Sequence, residues 1–343
     1  MTQLQSPSPS PQRLSMGNWG LVAGVVGRKL LQAALTMLAI SLLSFLLMQL
    51  APGDFLSQRS LSTELTEELI AAERARLGLD RPIYMQYLLW LGNLLRVDLG
   101  VSYAFHLPVS DLIFQRAGAT LLLAIASLLG TWALAVPLGI LSALKQNTWV
   151  DRLLQLISYT GQAMPSFVLA ILLLFVAQNV SGLPVGGMTS IDFDQLSWWG
   201  KVRDIVRHLL LPTLVLSITG FAGLQRITRG SFLDILRQDY IQSARAKGLS
   251  ETRIIIVHAL RNAINPLITI LGFEFSTLLS GSFIAEFFFN WPGLGRLLLD
   301  AVRSFDINVV MAGLLLGSLM LIIGNFLADL ALQYVDPRIR IYS

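Results

Sequence analysis

Apolar residues gather in six long runs along the chain, with polar, turn-rich connections between them. The runs are 30–50, 119–144, 156–180, 209–228, 264–289 and 309–333. Each has about the 20 residues an α-helix needs to cross a hydrocarbon layer ~30 Å thick. Lipid offers no partner to a backbone N–H or C=O, so runs of this kind cross as helices. The pattern therefore predicts an all-α membrane protein with six transmembrane helices. Pro137 and Pro165 fall inside the second and third runs. Freed backbone groups there have to be satisfied against other helices or a cavity. Gly313, Gly317 and Gly324 place small residues on one face of the last run. Small residues let helix backbones approach closely, and packing within the chain is the expected use.

The connections divide the chain further. Residues 1–18 are rich in Ser, Pro and Gln and are expected as a disordered tail. No small-residue cleavage site follows the first apolar run, so 19–50 is expected to stay as an entry segment and first transmembrane helix. Residues 51–118 form a long insert, and 119–343 a five-helix core with a polar loop at 229–263. The parts 1–29, 145–155, 229–263 and the tail from 334, with Arg226, hold 14 Lys/Arg. The short connections 181–208 and 290–308 on the other side hold five, and the long insert six. Short loops rich in Lys and Arg face the cytoplasm, which predicts an N-in, C-in orientation with a periplasmic insert.

Within the insert, Ser62 or Thr63 caps an expected helix with Glu64, Glu67 and Glu68 in its first turns. Leu65, Leu69 and Ala72 share one face, and Gly78 ends it. A second helix is expected over Ile83–Arg96, with Tyr84, Tyr87 and Trp90 among leucines. Such aromatics suit a membrane interface, or a packed lid. In the loop 229–263, Leu233, Leu236, Tyr240 and Ala244 recur at helical spacing. The spacing predicts a helix over Ser231–Lys247 ending at Gly248, then a second from Ser250 over Glu251–Ala263 before Pro266. Small side chains at Ser243, Ala244 and Ala246 leave backbone open to a partner. Arg245, Lys247, Arg253 and Arg261 keep the loop basic. A hairpin on anionic lipid and a protein-docking site both fit this pattern.

Composition narrows the chemistry. Hydrophobic residues make up 54% and charged residues 13%, against about 25% charged in soluble domains. With no cysteine, disulfides and thiolate sites are excluded. No phosphate-binding GxxxxGK[ST] loop or HExxH metal motif occurs, so an ATPase or metalloenzyme site in this chain is not expected. His106, His208 and His258 lie on separate segments. Three acids stand inside apolar runs. Glu274 lies ten residues into the fifth run, or ~15 Å at about 1.5 Å per residue, near the midplane. A charge at that depth faces a passage or is held neutral by a hydrogen bond. Glu286 and Asp329 lie nearer the run ends and are expected to be structural.

The stretch Asp239-Tyr240-Ile241-Gln242-Ser243-Ala244-Arg245-Ala246-Lys247-Gly248-Leu249-Ser250, continued by His258-Ala259-Leu260-Arg261-Asn262-Ala263 to Pro266, resembles the EAA loop of ABC importer permeases. Further matches in family order are Ala51-Pro52-Gly53-Asp54, Leu77 to Pro82, Asp98-Leu99-Gly100 with Ser102-Tyr103, Phe288 to Leu298, and Asp336 to Arg340. Together they resemble the first permease of the oligopeptide/dipeptide/nickel branch over nearly the whole chain. Departures are Gln242-Ser243 in place of the acid that names the motif, Phe55 for a second proline, Val97 for Gly, and Glu274 for an uncharged polar residue.

The resemblance implies a permease subunit of an ATP-driven, binding-protein-dependent importer in the bacterial inner membrane, for di- or oligopeptides or a related small solute. It implies that Asp239, Tyr240, Ser243, Ala244, Arg245, Ala246, Lys247 and Gly248 form a coupling helix seated in a groove of a cytoplasmic ATPase subunit. The implied partners are a second permease, as copy or paralogue, two ATPase subunits carrying ATP and Mg, a periplasmic solute-binding protein and membrane lipid. No cofactor in this chain and no nucleic acid are implied. Glu274 is the candidate for the translocation path. The alternative is a proton-coupled secondary transporter using Glu274 or Asp329.

Overall fold

The computed structural model describes residues 18–50, 55–56, 67–179 and 182–335, and among them the chain is almost wholly helical. The expected tail 1–17, the capping residues Ser62 and Thr63, the Ala51–Asp54 motif and the Asp336–Arg340 ending lie outside the described residues. The elements are α1 (Asn18–Leu50), α2 (Glu67–Arg76), α3 (Ile83–Leu95), α4 (Val109–Leu144), α5 (Trp149–Ala163), α6 (Ser166–Asn179), α7 (Trp198–Leu236) and α8 (Asp239–Ala246). They continue with α9 (Glu251–Arg253), a π-helical segment Ile254–Ala259, α10 (Leu260–Phe288), α11 (Leu294–Arg303) and α12 (Ile307–Val335). Five helices are long and apolar enough to cross a membrane alone. The pair α5–α6 adds a sixth crossing if taken as one span.

That pair stands where the third span, 156–180, is expected. It bends by 101° at a break of a few residues. Pro165 is the cause, because a proline drives the preceding residue out of the helical region. Met164 is extended (φ −83°, ψ 122°), and the Pro165 carbonyl then accepts from Val168 and Leu169 N–H to start α6. Pro137 and Pro212, by contrast, sit inside continuous helices. Other helices overrun their apolar stretches: α4 begins at Val109 and α7 at Trp198.

The long α4 and α7 pack on each other over the most extensive interface in the bundle. Close approach is what makes this possible. A Cβ at Gly139 would lie 2.7 Å from Thr228 Cβ and 2.9 Å from the Gln225 carbonyl. Ser217 Oγ on α7 donates to the Ser127 carbonyl on α4 at 3.2 Å. In α12, a Cβ at Gly313 would meet Leu298 of α11, the intramolecular packing expected of it, whereas a Cβ at Gly317 would meet nothing within 4 Å among the described residues.

Buried carboxylates hold the corners where helices end. Glu286, with no exposure, accepts from Thr120 Oγ1 at 2.7 Å, Ser282 Oγ at 3.0 Å and Arg296 N–H at 3.1 Å. Thr120 in turn accepts from Leu294 N–H at 2.7 Å. Together they satisfy N–H groups left open at the start of α11. A Cβ at Gly293 would collide with that carboxylate. Glu286 is structural in this arrangement, as expected.

The insert is fastened to the same end of the bundle. Asp306, fully buried, accepts from Ser102 Oγ at 2.5 Å, Ala104 N–H at 3.0 Å and Val309 N–H at 3.4 Å. Asn308 Nδ2 donates to the Val101 carbonyl at 2.9 Å. The predicted insert helices appear as α2 and α3, with Gly78 at φ 69° after the first. On α3, Tyr87 stacks near Trp90 and packs on Phe45 of α1 with centroids 5.3 Å apart, while its hydroxyl bonds Ser41 at 2.9 Å. Tyr84 stays exposed.

The turn after α3 carries strain. Val97 sits at φ 61° with 87% of its surface exposed. A β-branched residue in that region is an outlier costing about 1–3 kcal/mol. Its exposure means that little packing opposes a change. Val97→Gly is expected to stabilise the protein by about 1 kcal/mol. A rise in the thermal unfolding midpoint in detergent checks this, and a fall would show that the turn is not strained.

Candidate functional site

The loop 229–263 folds into a compact unit at the end of the bundle opposite the insert. The predicted helix over Ser231–Lys247 is in fact broken. α7 ends at Leu236, Gln238 is extended (ψ 146°), and α8 starts at Asp239. The apolar spacing continues across the break, which is why the sequence suggests one helix. The break lets α8 fold back. Ile241 and Ala244 are buried against Phe232, Ile254, Ala259, Ala263 and Ala143. Of the three small residues expected on an open face, Ala244 thus points inward. Ser243 and Ala246 remain exposed, with Asp239, Tyr240, Lys247 and Gly248.

Termination of α8 follows from Gly248. Its φ is 76°. Gly248 N–H donates to the Arg245 carbonyl at 2.9 Å and Leu249 N–H to the Ala244 carbonyl at 3.3 Å. This paired 5→2 and 6→1 closure is the Schellman arrangement, which requires a left-handed C′ residue. Asp239 in the first turn and Arg245 in the last both suit the helix dipole. Two further bonds fix α8 to the following helix. Arg245 Nε meets Glu251 Oε1 at 2.8 Å, and Asn262 Nδ2 donates to the Tyr240 hydroxyl at 3.0 Å.

The predicted second helix, Glu251–Ala263, has no end at Pro266. α9, the π-helical turn and α10 follow one another without a break, with Pro266 inside α10. The unit is therefore welded to the membrane helix that carries Glu274. That residue is half-buried, and Trp132 Nε1 of α4 donates to its Oε2 at 3.3 Å. Asp329 lies in α12, and its side chain lies outside the described residues.

One cluster was not anticipated from the sequence. Asp151, 1% exposed, receives Arg229 Nε and Nη2 at 2.8 Å each. It also accepts from Ser142 Oγ at 2.5 Å, Gln155 Nε2 at 2.8 Å and Asn147 N–H at 2.9 Å. A bidentate guanidinium–carboxylate pair is the strongest of these bonds. It joins the end of α4 and the start of α5 to α7, about two turns before the end of α7. The available signal was that Asp151 is the one acid in the basic connection 145–155.

Residues 135–341 match the family described as binding-protein-dependent transport system inner membrane component. Residues 24–124 match the N-terminal part described for such components. An oligopeptide transport system permease protein of Bacillus subtilis is 37% identical over 324 residues, covering 93% of this chain and 99% of the relative. A dipeptide transport system permease protein of Escherichia coli is 38% identical over 328 residues, 89% of this chain and 95% of the relative. A glutathione transport system permease protein of Escherichia coli is 37% identical over 313 residues, 91% and 97%. In fold, the chain resembles an inward-facing methionine ABC transporter with a TM-score of 0.53 at 15% identity, over 66% of this chain and 97% of that one.

The buried pair gives a stability test. Asp151→Asn leaves Arg229 without its charge partner and should cost about 3–5 kcal/mol, as breaking a buried pair does. The double variant Asp151→Asn/Arg229→Met should lose clearly less than the two single losses added together. Unfolding of the detergent-solubilised variants measures both. Additive losses would show that the pair is not coupled.

Proposed function

The chain belongs to the family of binding-protein-dependent transport system inner membrane components, and on that premise we propose that it passes short peptides across the membrane under the drive of partner ATPases. It is a multi-pass inner-membrane permease subunit. The peptide reading is supported by the cargo named for its oligopeptide, dipeptide and glutathione relatives. α8 would seat in a groove of an ATPase subunit, with ATP and Mg bound there and not on this chain. A second permease, a second ATPase and a solute-binding protein complete the assembly. The charge bias of the short connections supports a cytoplasmic α8 and an external insert.

One observation carries the coupling role. α8 is closed at its C-terminus by a Schellman turn, anchored inward by Ile241 and Ala244, and bare outward at Tyr240, Ser243, Ala246 and Lys247. A short helix braced on one face and open on the other suits docking of a rigid partner surface. Because α9 and α10 continue from it, a push on α8 reaches the helix bearing Glu274.

Gly248 tests this reading. A Cβ there meets nothing within 4 Å, so only its φ of 76° resists substitution. Gly248→Val should strain the closure by about 1–3 kcal/mol, while Gly248→Asn, which tolerates left-handed backbone, should be mild. In reconstituted vesicles, the Val variant should insert normally yet lose most transport and most stimulation of ATPase activity by loaded binding protein. Normal stimulation in that variant would rule out α8 as the coupling element.

Glu274, with its single hydrogen bond to Trp132 among the described residues, is proposed to face the translocation path. Glu274→Gln keeps the shape and the acceptor oxygen while removing the charge. It should change the ratio of uptake of lysine-containing to neutral tripeptides several-fold. An unchanged ratio would reduce Glu274 to a packing role.

A further inference from the structure

A cleft of about 600 Å³ opens between α2, α3, the loop 98–108 and the start of α12. That volume lies within the roughly 300–1,000 Å³ usual for small-ligand sites. None of the roles assigned above uses it. Its walls carry both charges and aromatic faces: Arg76, Arg81, Asp98, Trp90 and Tyr103, together with Phe45 and Phe55.

The walls are held in place. The loop 98–108 is pinned by Asp306 through Ser102 Oγ and Ala104 N–H. Gly78, Gly100 and His106, all lining the cleft, have φ of 69°, 77° and 54°. A Cβ at Gly100 would come within 3.2 Å of Asn308 Nδ2, so the loop lies tight on α12. His106 is the non-glycine residue of the three, and non-glycine residues held at positive φ by surrounding structure gather at ligand clamps.

The charges divide into engaged and available. Arg76 is paired with Glu73 at 2.5 Å. Arg81 lines the cleft and has no ion pair among the described residues. Asp98 uses Oδ1 to accept from Gly100 N–H at 2.8 Å and keeps its other oxygen free of a partner among the described residues. Burial, and then the neighbouring Asp306 carboxylate, push the Tyr103 phenol up, so it stays a neutral hydrogen-bond donor. A guanidinium suits a carboxylate and a carboxylate suits an ammonium. Half-buried Trp90 and Tyr103 offer flat apolar faces between them.

We propose that this cleft in the insert binds a short zwitterionic peptide, with Arg81 taking its C-terminal carboxylate and Asp98 its N-terminal ammonium. The inference rests on the peptide reading above and adds a second site, at the end of the bundle that bears the insert. Cargo leaving a binding protein would meet this cleft before the bundle. Its occupancy would raise the local concentration of peptide at the entrance.

Equilibrium binding of radiolabelled trialanine to the purified transport complex, without binding protein or nucleotide, tests the proposal. Saturable binding is expected, displaced by unlabelled trialanine and not by N-acetyl-trialanine amide, which lacks both terminal charges. Arg81→Ala and Asp98→Asn should each weaken it at least tenfold, and Arg81→Lys should recover most of the loss. Both side chains are exposed, and Asn keeps the acceptor for Gly100 N–H, so folding should be unaffected. An unchanged thermal midpoint checks that. Absence of saturable binding, equal displacement by the capped peptide, or binding indifferent to both variants would overturn the site. Trialanine uptake by vesicles supplied with binding protein separates the two readings. Uptake without binding at the cleft leaves the peptide importer standing and the inference overturned, whereas loss of both removes the peptide reading and the inference with it.

Discussion

Polar groups shut away from water must find partners inside the chain, and in a membrane protein this constraint is at its most severe. Four carboxylates answer it in one way. Asp151 accepts from the Ser142 hydroxyl and Asn147 N–H, and Glu286 from Thr120 and Arg296 N–H. Asp306 accepts from Ser102 and Ala104 N–H, and Asp204 from the hydroxyl and N–H of Ser190. Each is buried. Each receives at least one hydroxyl, and at least one backbone N–H from a turn or helix start that has no helical partner of its own. Alongside the close packing of helix faces, these joints at the helix ends hold the bundle together.

The two ends of the bundle are built differently. Asp204, Glu286 and Asp306 fix the end that bears the insert, through hydrogen bonds from hydroxyls and backbone N–H groups. Asp151, at the opposite end, is the one of the four that takes a bidentate arginine. A charge pair of that kind holds α4, α5 and α7 in one fixed register near α8. The coupling role proposed for α8 needs such a support. If α7 could slide on α4 close to α8, a displacement at α8 would be absorbed there before it reached α10 and Glu274.

The hydropathy pattern made the spans legible, because their length is imposed by the bilayer and every residue of a span reports on it. The insert helices were legible too, since Gly78 and Pro82 punctuate them. The breaks were not. Leu233, Leu236, Tyr240 and Ala244 keep helical spacing across Gln238, so periodicity alone cannot reveal that the chain turns back there. Pro165 and Pro266 look alike in sequence, yet one bends the chain by 101° and the other lies within a continuous helix. A proline loses one hydrogen bond and crowds one carbonyl wherever it stands. Whether the helix yields depends on neighbours that only the fold supplies. The Asp151–Arg229 pair was hidden for the same reason: its partners are 78 positions apart.

Where the chain departs from the pattern of its family is informative about how the work is divided. The hydroxyl, carboxylate and glycine of the joint at Thr120, Glu286 and Gly293 interlock so tightly that a single methyl group at Gly293 would collide. Such positions have little freedom to change. Val97, Phe55 and Glu274, the departures, make fewer demands on their neighbours. Val97 is exposed at the turn leading into the cleft loop. Phe55 lines the cleft and lies with its ring centroid 5.7 Å from that of Tyr103. Glu274 is half-buried beside Trp132. A change at Val97 or Phe55 would leave no buried carboxylate without its partner. The constraint that fixes the joints therefore leaves more freedom at the two sites proposed above, the cleft of the insert and the surroundings of Glu274.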